Sequence, residues 1–344
     1  MDVRDGVSYD DVLVVPERSV VAHRADVSLE TRLAPNLALD SPILGAPMDT
    51  VIESEAAIAL SETGGLGTLH RFLPIDEQAA EVRRVVAAGE RAGGAVGIDE
   101  AYLERAAALV EAGAACVMVD IAHGHMERCL DAVGELRAEF PETPLVAGNV
   151  ATASGVADLA AAGADCVKVG VGPGSHCTTR EVTGVGVPQL TAVSDCAEAA
   201  SEHGVTVIAD GGIRKSGDAV KALVAGADAV MLGGLLAGTT EAPGETIERD
   251  GTRYKCSRGM ASTEANNERT DKNGETAMEE GIAGAVPYRG DLAGVVAGLE
   301  GGIRSGLSYC GAASIPAVQG NAEFIHNSAG AQAIEGVHAS VRER

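Results

Sequence analysis

The feature that most constrains this chain is a rhythm. Short apolar or β-branched runs, each ending on Gly, Asp or His, alternate with segments of helical period. The runs fall at residues 42–46, 65–70, 93–97, 116–122, 145–150, 166–170, 206–210 and 229–232, eight in all. Amphipathic stretches rich in Ala, Glu, Leu and Arg lie between them, as at 75–88, 100–112, 126–139 and 216–225. A strand that is apolar on both faces is covered on both faces, and a helix between successive strands makes them parallel. Eight such units predict an α/β fold, a (β/α)8 TIM barrel. A doubly wound open sheet is the alternative, and it fits less well because no Gly-x-Gly-x-x-Gly follows the first strand.

Three stretches fall outside the rhythm, and all are read as parts of one barrel domain spanning 1–344. Residues 1–40 precede the first strand as a capping arm, and about 320–344 form a tail. Residues 239–289 follow the eighth strand and are too long for an ordinary loop. They carry strand-like patches at 246–248 and 252–255 and then a polar run at 263–276. On the C-terminal face of a barrel, such an insertion is expected to act as a flap over the site.

The charge narrows the setting. Against 50 acidic residues stand 26 basic ones, a formal net charge of −24. A duplex or an anionic membrane needs a basic face, so neither is expected as a partner. The longest apolar run, around 229–238, is strand-sized, and Met1-Asp2-Val3-Arg4-Asp5 lacks the order of a signal peptide, so a cytoplasmic protein is expected. Self-repulsion at this charge is screened within about 3 Å at molar salt, which suggests a salt-rich, halophilic cytosol. An ordinary acidic enzyme is the alternative.

The seven cysteines are odd in number and form no C-x-x-C pair, so neither a disulfide framework nor a zinc ribbon is indicated. Cys116 and Cys166 lie inside apolar strands and are expected in the core. Cys177 differs: it follows the glycine-rich turn Gly170-Val171-Gly172-Pro173-Gly174-Ser175-His176 and precedes two threonines. Glycine amides and a serine suit a phosphate, and a cysteine on a loop end suits a nucleophile. The seventh and eighth strand ends, Asp210-Gly211-Gly212 and Gly233-Gly234, occupy the recurrent phosphate corner of this architecture, with Asp210 placed to accept from ribose hydroxyls or to cap a turn. The fourth end reads Asp120-Ile121-Ala122-His123-Gly124-His125. A ribose at Asp120, with the histidines around it, fits better than a metal, because no third ligand pattern surrounds them.

Joined in order, these blocks become specific. Tyr9-Asp10-Asp11-Val12-Leu13, Ala46-Pro47-Met48-Asp49-Thr50-Val51, the Cys177 loop, Gly184-Val185-Gly186-Val187-Pro188-Gln189, residues 209–213 and Arg258-Gly259-Met260 resemble the IMP dehydrogenase/GMP reductase family over nearly the whole chain. The resemblance implies that Cys177 attacks C2 of a purine mononucleotide while Thr179 and Glu280 relay a proton. It implies a substrate site of Met48, Ser175, Asp210, Gly211, Gly212, Gly233, Gly234, Gly259 and Met260, and a cofactor site at Asp120, Ala122 and Gly170 for NADPH, or NADH/NAD. A potassium ion at Gly172, Gly174 and Cys177 and a homotetramer are implied in the same way.

The family runs two reactions. Residues 71–93 hold one helix where many dehydrogenases carry regulatory modules, and the flap, 259–281, contains Arg269-Thr270 and no Tyr, where the dehydrogenase uses an Arg-Tyr pair to activate water. Both features point to reduction of GMP to IMP and ammonia. Residues 120–125, Glu77-Gln78-Ala79 and Pro287-Tyr288-Arg289-Gly290 look more like IMP dehydrogenase, the alternative. Ser257, Gly234 and Arg71 depart from residues common in the family: a Tyr and a Ser in dehydrogenases, a Lys in reductases. A flavin-dependent barrel oxidoreductase and a non-catalytic nucleotide sensor are the readings from other classes.

Overall fold

The computed structural model describes residues 3–99, 101–268, 280–320 and 322–335. Its centre is a closed barrel of parallel strands: β1 (Ile43–Gly45), β2 (Leu66–Leu69), β3 (Ala92–Val96), β4 (Cys116–Asp120), β5 (Leu145–Val150), β6 (Cys166–Val169), β7 (Thr206–Asp210) and β8 (Ala229–Leu232). Closure comes from β8 on β1, with Val230, Met231 and Leu232 in register with Ile43, Leu44 and Gly45. Around it run α1 (Ser54–Glu62), α2 (Ile75–Ala87), α3 (Tyr102–Glu111), α4 (Glu127–Glu139), α5 (Ala153–Ala162), α6 (Gln189–His203), α7 (Ser216–Val224) and α8 (Leu292–Tyr309). The expected (β/α)8 barrel is therefore what the chain forms, with element ends within about two residues of the apolar runs.

The strands are apolar throughout because each faces two cores. Outward residues Val117, Val119, Val167, Val169 and Val207 share a buried cluster with Leu109, Leu136, Leu159 and Leu223 of the surrounding helices. Inward residues Leu44, Leu66, Cys116, Met118, Cys166, Ile208 and Met231 fill the barrel interior. Cys116 and Cys166 are fully buried there, as expected, and burial pushes the Cys116 thiol up to about 12. Toward the C-terminal strand ends the inner face turns polar. The residues one pleat above Cys166, Met118 and Ile208 are Lys168, Asp120 and Asp210.

The arm does more than cap. Its hairpin, Thr31–Ala34 with Leu37–Leu39, buries Leu33, Ala34, Leu37 and Leu39 in the interior cluster. The Thr206 hydroxyl donates to Leu33 O at 2.8 Å and Thr31 Oγ1 to Asp228 O at 2.7 Å, so the hairpin plugs the N-terminal end of β7 and β8. A second arm strand, Val12–Val14, pairs antiparallel with Phe324–His326 of the tail.

The insertion after β8 is a three-stranded antiparallel sheet of Thr246–Arg249, Thr252–Arg258 and Ala283–Pro287. Sequence patterning found the first two strands and missed the third, whose Ala-Gly-Ala-Val-Pro carries no alternation. The polar run opens with a short helix, Thr263–Glu268. Its remainder, including Arg269 and Thr270, lies outside the described residues.

Candidate functional site

The site forms where the loops after β6, β7, β8 and β1 meet the flap sheet. After β6 the chain must pass close to the end of β7. A Cβ on Gly170, at φ +155°, would stand 2.1 Å from Asp210 O, so only glycine permits the approach. Gln189 at the start of α6 secures the same corner, its Nε2 donating to Val169 O at 2.9 Å and Asp210 O at 3.0 Å. Arg180 pins the turn from outside through Val171 O at 3.1 Å and Val187 O at 2.6 Å.

This turn presents Cys177, which is exposed. Its thiol donates to Thr179 Oγ1 at 3.1 Å, and Thr179 Oγ1 donates to Glu280 Oε2 at 2.7 Å. Backbone contacts hold the flap to the loop: Thr178 N donates to Glu280 O at 2.9 Å, Ile282 N to His176 O at 2.9 Å, and Cys177 bridges Gly281. Burial lowers the His176 pKa below the ordinary histidine value, so that ring is neutral at pH 7.

The other expected nucleotide residues converge on the same space. Ser175 Oγ lies 3.3 Å from where a Cβ on Gly234 would stand, and Met48 Sδ 3.4 Å from one on Gly233. A Cβ on Gly211, at φ +92°, would meet Pro173 of the Cys177 turn at 2.8 Å, and one on Gly212 would meet the Tyr9 ring at 3.3 Å. Gly259 closes the flap side, its N–H on Ile282 O at 2.9 Å with Met260 following it. Ser257 is 3% exposed and its hydroxyl finds no partner among the described residues, so it points into protein rather than toward the loop surface. Within the turn, Cys177 N donates to Gly174 O at 3.1 Å, which leaves that carbonyl a second lone pair.

Asp120 and Asp210 are joined by a residue that pattern reading passed over. Lys168, on the inner face of β6 and 2% exposed, reaches Asp120 Oδ1 and Asp210 Oδ2, both at 2.7 Å. Burial works against its charge, but the two carboxylates outweigh that and hold its pKa above the usual lysine value. Asn149 of β5 completes the cluster, donating to Asp210 Oδ2 at 2.9 Å and accepting from Lys168. The signal was available: a lysine within an otherwise apolar strand, in a chain with only five. Beside Asp120, Arg71 Nε donates to the Asp120 carbonyl at 3.4 Å, Ala122 is exposed, and His125 pairs with Asp158 of α5 at 2.7 Å. A second missed pair ties flap to barrel: Arg258 on Asp49, beyond β1.

The comparisons with known proteins bear on family and fold. The family model for the IMP dehydrogenase / GMP reductase domain matches residues 6–338. An inosine-5'-monophosphate dehydrogenase of Aquifex aeolicus is 40% identical, with 94% of this chain and 93% of that protein covered. A GMP reductase of Leishmania donovani is 34% identical, with 97% of each covered. Among solved structures, a cysteine-to-alanine variant of GMP reductase from Trypanosoma brucei, in complex with guanosine 5'-monophosphate, superposes with a TM-score of 0.94 at 32% identity. It covers 98% of this chain and 99% of its own.

Proposed function

This chain belongs to the IMP dehydrogenase / GMP reductase family, nicotinamide-dependent oxidoreductases of purine mononucleotides, and from that premise we propose that it is a GMP reductase. The reaction is GMP plus a reduced nicotinamide and a proton to IMP, ammonia and the oxidised nicotinamide. The observation that carries the reading is the unbroken path Cys177 Sγ, Thr179 Oγ1, Glu280 Oε2, at 3.1 and 2.7 Å. Cys177 adds to C2 of the purine, and Thr179 with Glu280 delivers a proton to the 2-amino group. Ammonia leaves and a purinyl thioether remains on Cys177. Replacement of the C–S bond at C2 by hydride, which a reduced nicotinamide would supply when bound, would release the Cys177 thiolate and IMP.

The direction rests on what the flap lacks. None of the five tyrosines falls within 259–281. Arg269 is followed by Thr270 where the dehydrogenase has an Arg-Tyr pair, and loss of a group that activates water slows water attack by roughly 10²–10⁴-fold, whereas hydride attack needs no such group. The residues suit the two ligands. Asp210 accepts from the nucleotide ribose, Ser175 and the amides of Gly211, Gly212, Gly233 and Gly234 take the phosphate, and Met48, Gly259 and Met260 flank the base. Asp120, which pairs with Lys168 through one carboxylate oxygen and is 22% exposed, fits a cofactor ribose, with Ala122 and Gly170 assigned to the same cofactor. The carbonyls of Gly172, Gly174 and Cys177 fit an alkali cation such as K+, which would stiffen the turn.

The 40% identity to a dehydrogenase favours a second reading, oxidation of IMP by NAD+ and water to XMP. One assay separates them. The protein is given GMP with NADPH or NADH, then IMP with NAD+, in molar KCl, following nicotinamide absorbance. Cofactor oxidation with GMP is expected; cofactor reduction with IMP would overturn the proposed direction.

A further inference from the structure

The ammonium of Lys168 is fully spent on the protein. Its contacts are Asp120 Oδ1 and Asp210 Oδ2, both at 2.7 Å, and Asn149 Oδ1. An ammonium has three protons, so none is left to donate to a ligand. Asn149 is held in turn, its Nδ2 donating to Asp210 Oδ2 at 2.9 Å and to Gly170 O at 2.8 Å. Each carboxylate is gripped through one oxygen. The opposite oxygens, Asp120 Oδ2 and Asp210 Oδ1, make no hydrogen bond with the described residues, and the two side chains are 22% and 21% exposed. The cluster is therefore buried at its centre and open at its two ends.

Such an arrangement joins two binding positions through one charge. Two carboxylates that share one nitrogen at 2.7 Å, each only about one-fifth exposed, stand close enough to repel each other. The shared ammonium offsets that repulsion and fixes where each free oxygen points. It also makes them dependent on each other, because whatever draws on one carboxylate changes its competition for the same three protons.

We propose that Lys168 is a positioning residue that couples the two halves of the site: by gripping Asp210 and Asp120 with one ammonium, it makes a ribose bound at either carboxylate felt at the other. The inference rests on the reading above, in which Asp210 takes the nucleotide and Asp120 the cofactor. A ligand that draws on one carboxylate changes that carboxylate's hold on the ammonium, and with it the other's, so the second ligand meets an altered site.

The test uses the full chain carrying Cys177→Ala, which stops turnover. GMP is titrated calorimetrically with and without saturating NADPH, in this background and with Lys168→Met or Lys168→Arg added. The cofactor is expected to change GMP affinity by about fivefold or more in the parent. The factor should fall to near one in Lys168→Met and recover in Lys168→Arg. A folded Lys168→Met protein that retains the coupling overturns the inference. Asp120→Asn gives an independent arm should Lys168→Met not fold. It is expected to weaken GMP several-fold with no cofactor present, and an unchanged GMP affinity overturns the inference as well. If the Cys177→Ala parent binds no GMP at all, the functional reading itself falls, and this inference with it.

Discussion

Arg258 reaches from the flap sheet to Asp49, beyond β1, with Nε at 3.0 Å and Nη2 at 2.6 Å from a single carboxylate oxygen. The side chains are 18% and 14% exposed, so the pair is screened by little solvent. It is a charged link between the barrel rim and the sheet that carries Gly259 against the Cys177 loop. Hydrogen bonds to charged groups contribute about 1.5–3 kcal/mol each. Asp49→Asn is therefore expected to loosen flap docking without unfolding the barrel. Hydrogen exchange at the amides of Gly259 and Ile282 should accelerate, while amides of β4–β6 stay protected. Equal protection in both forms would show that the pair does not hold the flap.

The proton path makes a sharper statement about chemistry. Glu280→Gln keeps an oxygen that can accept from Thr179 but cannot release a proton to it. Turnover is expected to fall by roughly 10²–10⁴, with GMP affinity changed little, because neither side chain is assigned to binding. Cys177→Ala should abolish turnover altogether. A Glu280→Gln enzyme that keeps wild-type kcat, measured by nicotinamide oxidation with GMP, removes Glu280 from the mechanism.

How much of this was legible beforehand follows from where the interactions lie along the chain. The barrel was readable because strands buried on both faces leave nearly uninterrupted apolar runs, and the strand-end glycines and aspartates mark the mouth. Thr179 with Glu280, and Arg258 with Asp49, are 101 and 209 positions apart, and no local period encodes such pairings. Family resemblance supplied the first and nothing supplied the second. Lys168 was obscured differently. An apolar strand reads as core, and its one charged residue becomes meaningful only when the barrel closes and brings β4, β5 and β7 around it. The strand Ala283–Pro287 went unread because its small residues carry no pleated alternation; backbone pairing to Thr252–Arg258 defines it.

At the opposite end of the barrel, Asp228 gives a prediction about stability. Its Oδ2 accepts from Val207 N at 2.8 Å, yet burial dominates and raises its pKa from 3.8 to about 6. A carboxyl whose folded pKa lies above its unfolded one binds its proton more tightly in the folded state. Its contribution to stability is thus complete below about pH 4 and is lost as pH rises through 6. A shift of this size amounts to roughly 3 kcal/mol at most. Asp228→Asn keeps an acceptor for Val207 N and does not titrate. Relative to that variant, the parent protein should lose denaturation free energy between pH 4 and 7, by about 2–3 kcal/mol. Parallel pH profiles for the two proteins would show that Asp228 is not perturbed as described.

Salt should act on this protein in two separable ways. The charge of −24 is spread over 50 acidic and 26 basic residues, so in dilute buffer the folded state carries uncompensated repulsion that the expanded chain relieves. Mobile ions shorten the range of that repulsion from about 30 Å at 0.01 M to about 3 Å at 1 M. Screening of this kind is indifferent to which alkali cation provides it, so NaCl and KCl should raise Tm together as concentration climbs. An ion held by the carbonyls of Gly172, Gly174 and Cys177 would instead depend on ionic radius and would act on the turn that presents the thiol. Activity with GMP and reduced nicotinamide, compared in NaCl and KCl at equal ionic strength and equal Tm, distinguishes the two. Higher turnover in KCl alone assigns the extra effect to the turn. Equal turnover leaves screening as the whole influence of salt, and a Tm that ignores both salts overturns the argument from charge.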